Sequence, residues 1–236
     1  MTTTPSARDR TGTTDLARYI QHTLIEPGVG AEQIVRHCAE CVEYGFDAAM
    51  VPAVWVALSR ERLSGTGVKV ATAVDFPIGG MTTAGRVAEV RAAVAAGAEE
   101  IDVGTQIGKL RSGLADEFVA DLAAVVEAAG VPVKAILELP LLEPDERELA
   151  VALAIEAGVT HVKNASSGAV GVATVAHVRY LKERTPPHVK IKASGGISTP
   201  DHARALIDAG ADLIGTSSGV ALVTANAQPA RGSGSY

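Results

Sequence analysis

The chain is 236 residues long, with 47% apolar residues, 3% aromatics and a net charge of -6. Without a basic cluster it cannot neutralise a phosphate backbone, which excludes a nucleic-acid partner, and no apolar run nears the roughly 20 residues of a bilayer span, which excludes a membrane one. The opening Met1-Thr2-Thr3-Thr4-Pro5-Ser6 lacks an apolar signal segment, so a cytoplasmic location is expected, and a core this poor in rings must come from Ala, Val, Leu and Ile.

Residues 1–12 are polar and read as a flexible segment ahead of one folded unit over 13–224. A first strand falls on His22-Thr23-Leu24-Ile25. A helix follows over 31–43, with Ile34, Val35, Cys38 and Val42 at its apolar positions. Cys38 and Cys41 have the spacing of a redox or metal pair, yet they lie inside that helical pattern with no second ligand pair. Both are expected in the core, and His37 on the helix surface. Strands over 48–51, 68–74, 101–103, 133–137, 161–163, 189–193 and 213–215 then alternate with helices over 53–63, 82–95, 114–128, 144–156, 173–183 and 199–208.

Five strands are announced by one phrase, a residue and a glycine just before an apolar burst: Tyr44-Gly45, Ala96-Gly97, Ala129-Gly130, Ala157-Gly158 and Ala209-Gly210. Glycine there ends a helix in the left-handed conformation, and the burst is a buried parallel strand. The spacings are near one or two multiples of about 26 to 33 residues, the size of a strand plus a helix. Eight such units without a break in composition predict an α/β fold, a single (β/α)8 TIM barrel, followed by a flexible tail over 225–236.

In such a barrel chemistry comes from the C-terminal ends of strands. Asp102, Glu138, Lys163 and Lys192 end the fourth to seventh strands and are expected to converge. Neighbouring parallel strands lie about 4.8 Å apart, so Lys163 and Lys192 perturb each other. Either their charges are paired or one lysine gives up its proton, and a neutral amine at a barrel mouth points to imine chemistry. The deeper Glu100, Lys134 and Lys190 suit a structural ion network, because buried charges persist only when paired. Gly195-Gly196 and Gly215-Thr216-Ser217-Ser218-Gly219, after the last two strands, suit an anion. The six histidines show no ligand spacing at strand ends, so no metal is expected.

Taken together, Ile20-Gln21-His22-Thr23-Leu24-Ile25, Asp75-Phe76-Pro77-Ile78-Gly79, Glu100-Ile101-Asp102-Val103, Ile107-Gly108-Lys109-Leu110-Arg111-Ser112-Gly113, Ile191-Lys192-Ala193-Ser194-Gly195-Gly196-Ile197 and Ile214-Gly215-Thr216-Ser217-Ser218-Gly219-Val220 resemble the 2-deoxyribose-5-phosphate aldolase family of class I aldolases. The resemblance implies a lyase that converts 2-deoxy-D-ribose 5-phosphate to D-glyceraldehyde 3-phosphate and acetaldehyde through a lysine imine. It implies no cofactor, partners limited to small aldehydes and sugar phosphates, and a homodimer as a common assembly. By matching position it makes Lys163 the Schiff-base lysine, Lys192 the lysine that lowers its pKa, Asp102 the acid that shuttles protons through water, and Gly195, Gly196, Ser217 and Ser218 the phosphate site. The final Tyr236 matches a tail tyrosine that assists proton transfer in some members.

The chain departs from the family pattern on the substrate side. Lys163-Asn164-Ala165-Ser166-Ser167 stands where Lys-Thr-Ser-Thr-Gly is usual, leaving Ser166 and Ser167 as the hydroxyls there. Ser198 replaces an arginine after Gly195-Gly196-Ile197, and Gln21, Met50 and Leu139 replace a common aspartate, cysteine and threonine. The alternatives this leaves are the same imine chemistry on a different, unphosphorylated aldehyde, and a catalytically silent ligand-binding barrel.

Overall fold

In the computed structural model the described residues are 16–225. The segment over 1–12 and Tyr236 lie outside them. Eight strands close into one parallel barrel in sequence order, β1 (Ile20–Thr23), β2 (Ala48–Val51), β3 (Lys69–Val74), β4 (Glu100–Gly104), β5 (Val133–Ile136), β6 (His161–Lys163), β7 (Lys190–Ser194) and β8 (Leu213–Thr216), with β8 paired back to β1. The connecting helices are α1 (Ala31–Tyr44), α2 (Val56–Leu63), α3 (Thr83–Ala95), α4 (Ile107–Arg111), α5 (Ala115–Ala129), α6 (Pro144–Glu156), α7 (Val175–Arg184), α8 (Pro200–Asp208) and α9 (Gly219–Thr224). Gly45 and Gly130 end α1 and α5 in the left-handed conformation, at φ 67° and 60°. Helix α4 escapes the sequence pattern because its five residues are too few to show an apolar period.

Alternation along each strand divides the interior in two. Outward residues such as Val70, Ile101, Val103, Val133, Val162, Ile191 and Ile214 pack under the helices in the main core. A small apolar cluster of Ala48, Met50 and Ala71, with Ile25 and Ala73 against it, occupies the β2–β3 side. The β4–β7 side is charged instead, and it carries the candidate site.

Two expectations about α1 meet the structure differently. Cys38 and Cys41 are free and buried, as core residues should be, and burial pushes both thiols up, away from the reactive thiolate. His37 is buried rather than on the surface: its ring stacks on His22 at 4.5 Å and its Nε2 lies 3.1 Å from the His22 carbonyl oxygen. The helical period placed His37 one position from Cys38, but only the angle at which α1 lies on β1 decides that this position also faces inward.

Candidate active site

Lys163 and Lys192 are register partners on the neighbouring strands β6 and β7. Their side chains meet on one oxygen. Asp102 Oδ2, from β4, lies 2.9 Å from Lys163 Nζ and 2.7 Å from Lys192 Nζ, while Lys134 Nζ of β5 is 3.2 Å from Asp102 Oδ1. Below this the network continues: Glu100 contacts Lys134 and Lys69 at 2.6 Å each, Lys69 reaches Asp47 at 2.9 Å, and Gln21 donates to Glu100 at 2.7 Å while accepting from Lys192 at 2.6 Å.

The charges in this network do not balance. Four lysines (Lys69, Lys134, Lys163, Lys192) face three carboxylates (Asp47, Glu100, Asp102). Losing one proton removes the excess, and burial selects where. Lys192 is 1% exposed, and burial, with the ammonium groups of Lys163 and Lys134, lowers its pKa to about 7 against the opposing pull of Asp102. Burial by itself would raise Asp102, but the three lysines outweigh it and hold that carboxyl well below the usual range. Glu100 follows the same logic, and Lys134 and Lys69 bring it to about 2. His161, buried on β6 beside Lys134, is lowered to about 3, first by burial and then by that lysine, so it adds no charge near neutrality.

Above the lysines opens a cavity of about 300 Å³. Lys163 lies on its wall, and so do all the residues expected to face substrate: Ser166, Ser167, Gly195, Gly196, Ser217 and Ser218. Lys192 and Asp102 sit beneath the wall, in contact with Lys163 but outside the cavity. Two glycines make this possible. A Cβ on Gly195, whose φ is 111°, would fall 2.3 Å from the Gly171 carbonyl oxygen, and one on Gly215 would meet Lys192 Cε at 2.9 Å and Ser194 Oγ at 2.3 Å. The Ser218 N–H is already donated to Thr216 Oγ1 at 3.0 Å.

Two expected placements need correction. Lys190 is exposed at the start of β7 and takes no part in the ion network, whose deeper cations are Lys134 and Lys69. Glu138 does not join the lysines. Its backbone is left-handed at φ 53°, just past β5, and its Oε2 accepts the Ser166 N–H at 2.9 Å, bracing the loop after β6. In that same loop the Asn164 amide makes two bonds to the Ser194 backbone, donating at 3.0 Å and accepting at 2.8 Å, which ties β6 to β7. Tyr236 lies outside the described residues.

The structure also adds residues that strand patterns had not marked. Phe76, on the cavity wall, holds its ring 5.7 Å from Lys163 Nζ. Its loop is anchored by Asp75, which accepts the Gly80 and Met81 N–H groups at 3.0 and 2.9 Å and pairs with the fully buried Arg86, itself 2.6 Å from Asp121. The hydroxyls of Ser166 and Ser194, both on the wall, have no hydrogen-bond partner among the described residues. The sequence signal for Phe76 was its place in Asp75-Phe76-Pro77-Ile78-Gly79, right after a strand end. Gln21 fell just outside the expected first strand at 22–25, and its signal was its place in Ile20-Gln21-His22-Thr23-Leu24-Ile25.

No family model matches the chain. It is 41% identical over 211 residues to a deoxyribose-phosphate aldolase of Brevibacillus brevis, covering 89% of this chain and 96% of that one. A second, from Thermosynechococcus vestitus, is 43% identical over 203 residues, 86% of this chain and 93% of the relative. Among solved structures, the deoxyribose phosphate aldolase of Aeropyrum pernix, described as a unique tetrameric structure, superposes with a TM-score of 0.84 at 30% identity, over 95% of this chain and 99% of the other.

Proposed function

The chain belongs to the deoxyribose-phosphate aldolase family, and from that premise we propose that Lys163 forms the imine through which it cleaves 2-deoxy-D-ribose 5-phosphate. The observation that carries the assignment is the shared carboxylate: both lysines contact Asp102 Oδ2, but only Lys163 also lines the cavity. Lys192, with its pKa lowered to about 7, accepts the proton of Lys163 across that oxygen. The freed amine adds to the C1 aldehyde of the open-chain sugar, and loss of water leaves a protonated imine. As the C3 hydroxyl gives its proton to solvent water in the open cavity, the C2–C3 bond breaks and its electron pair moves toward the imine nitrogen, releasing glyceraldehyde 3-phosphate and an enamine. Protonation of the enamine at C2 and hydrolysis release acetaldehyde and restore the amine. Asp102 keeps the positive charge of lysine and imine compensated throughout.

The phosphate end of the substrate is assigned to Gly195, Gly196, Ser217 and Ser218, and the Ser166 and Ser167 hydroxyls to its sugar oxygens. Their common place on one wall with Lys163 supports this. A catalytically silent barrel is disfavoured, because four lysines around three carboxylates are costly to bury without a use. Among the described residues no helix is long and apolar enough to cross a membrane, and two buried free thiols suit a reducing compartment, which supports the cytoplasm. The homodimer that the family resemblance implies is tested by light scattering.

The mechanism is tested by borohydride trapping with acetaldehyde and with 2-deoxyribose 5-phosphate, followed by peptide mass mapping. The expected label is on Lys163, and Lys163→Ala should lose both label and turnover. Label on Lys192, or appreciable turnover by Lys163→Ala, refutes the assignment.

A further inference from the structure

The cavity wall carries two ionisable side chains, Lys163 at its base and Glu26. Glu26 stands in the loop between β1 and α1, and β1 is paired to β8 with His22 opposite Thr216. The loop that carries Glu26 therefore leaves the barrel beside the loop that carries Ser217 and Ser218. Glu26 is exposed, and among the described residues it has no ion-pair partner, so no charged side chain among them neutralises it. The other groups at that end, Gly195, Gly196, Ser198, Ser217 and Ser218, are neutral.

Neutral amides and hydroxyls bind a phosphate or a plain hydroxyl alike, and what ordinarily favours the dianion is a cation. Here the one formal charge beside those groups has the opposite sign. We propose that Glu26 is a specificity-determining residue that disfavours a phosphate on the end of the substrate remote from the imine, and so widens the accepted range to unphosphorylated 2-deoxy sugars and short hydroxyaldehydes. This rests on the aldolase reading above, because it concerns the selectivity of that reaction. Repulsion between one carboxylate and a dianion across an open mouth is worth about threefold to tenfold in binding. Added salt weakens it, since the charges are in contact with solvent.

The test compares kcat/KM for 2-deoxyribose 5-phosphate and for 2-deoxyribose in the wild type, Glu26→Gln and Glu26→Lys. An exposed side chain without partners can be exchanged with little effect on folding. The ratio of phosphorylated to unphosphorylated kcat/KM should rise about threefold to tenfold in Glu26→Gln and further in Glu26→Lys, chiefly through KM of the phosphorylated sugar. Raising ionic strength should lower that KM in the wild type and not in Glu26→Gln. A ratio that stays within twofold in both variants, or a wild-type KM indifferent to salt, overturns the Glu26 assignment while leaving the aldolase reading intact. Absence of turnover and of trapping with either sugar in the wild type overturns both.

Discussion

At Lys192 two demands meet: the residue must stay buried under the cavity, and it must not hold a full charge there at every step. Its contacts to Asp102 Oδ2 and Gln21 Oε1 satisfy the first, and its lowered pKa the second. Replacing it with methionine keeps the volume and removes the proton acceptor. Lys163 then shares Asp102 Oδ2 with no second amine. Lys192→Met should lower kcat/KM at pH 7 by about a hundredfold or more and shift the rise of the trapping rate toward the ordinary lysine pKa near 10.4. Borohydride trapping as a function of pH reads this directly, and an unchanged profile would remove the role assigned to Lys192. The fold should survive, because the substitution leaves three lysines to face three carboxylates.

At the scale of elements, the loops after the strands are set by buried polar anchors. The loop after β3 is the clearest case, since Arg86 reaches from α3 to Asp75 at the strand end and to Asp121 on α5. Arg86→Met leaves two buried carboxylates without their cation, and the loss should be about 3 to 5 kcal/mol in urea unfolding. Because Asp75 also holds the Gly80 and Met81 N–H groups, the Phe76 ring should lose its place over Lys163, so KM should rise in the same variant. A loss below about 1 kcal/mol would show that the remaining donors, the Gly80 and Met81 N–H groups on Asp75 and the Thr83 hydroxyl on Asp121, suffice without the cation. The loop after β6 is held in the same manner, by Glu138 on Ser166 and by Asn164 on Ser194.

For the whole molecule, buried titratable groups set the acid limit of stability. His37 and His161 have folded pKa values near 3, against 6.5 when unfolded, so the unfolded chain binds protons first and stability falls as pH drops from about 6.5 towards 3. Glu100, lowered from 4.5 to about 2, contributes stability above pH 4.5 that is lost as pH falls through its folded value, and Asp102 acts with the same sign. Lys192 slopes the alkaline side: its folded pKa lies below 10.5, so stability gains as pH rises from about 7 towards 10.5. Urea midpoints at pH 8, 7, 6 and 5 should fall steadily on the acid side. A flat response between pH 7 and 5 would mean that neither histidine is held neutral by the fold.

The sequence by itself determined the eight strand and helix units, because apolar bursts, preceded by a glycine cap at five of them, are local signals, although the first strand was placed at 22–25 rather than Ile20–Thr23. It also put Asp102, Lys163 and Lys192 on inward faces, since side chains alternate along a strand whatever its neighbours are, but of the three only Lys163 ends its strand and reaches the cavity, while Asp102 and Lys192 lie at the middle of β4 and β7. Tertiary structure decided what those side chains touch. Lys192 and Gln21 lie 171 positions apart and meet only because β8 closes onto β1. Closure likewise brings Glu26 beside Ser217 and Ser218, and it makes one Asp102 oxygen common to two lysines. Glu138 turned away from them because its backbone is left-handed, and Lys190 stayed outside because β7 begins at the barrel's exposed end. Periodicity tells which face of a strand a residue occupies. The depth, the partner and the protonation state follow from packing all eight strands at once, because burial and opposing charge act through space rather than along the chain.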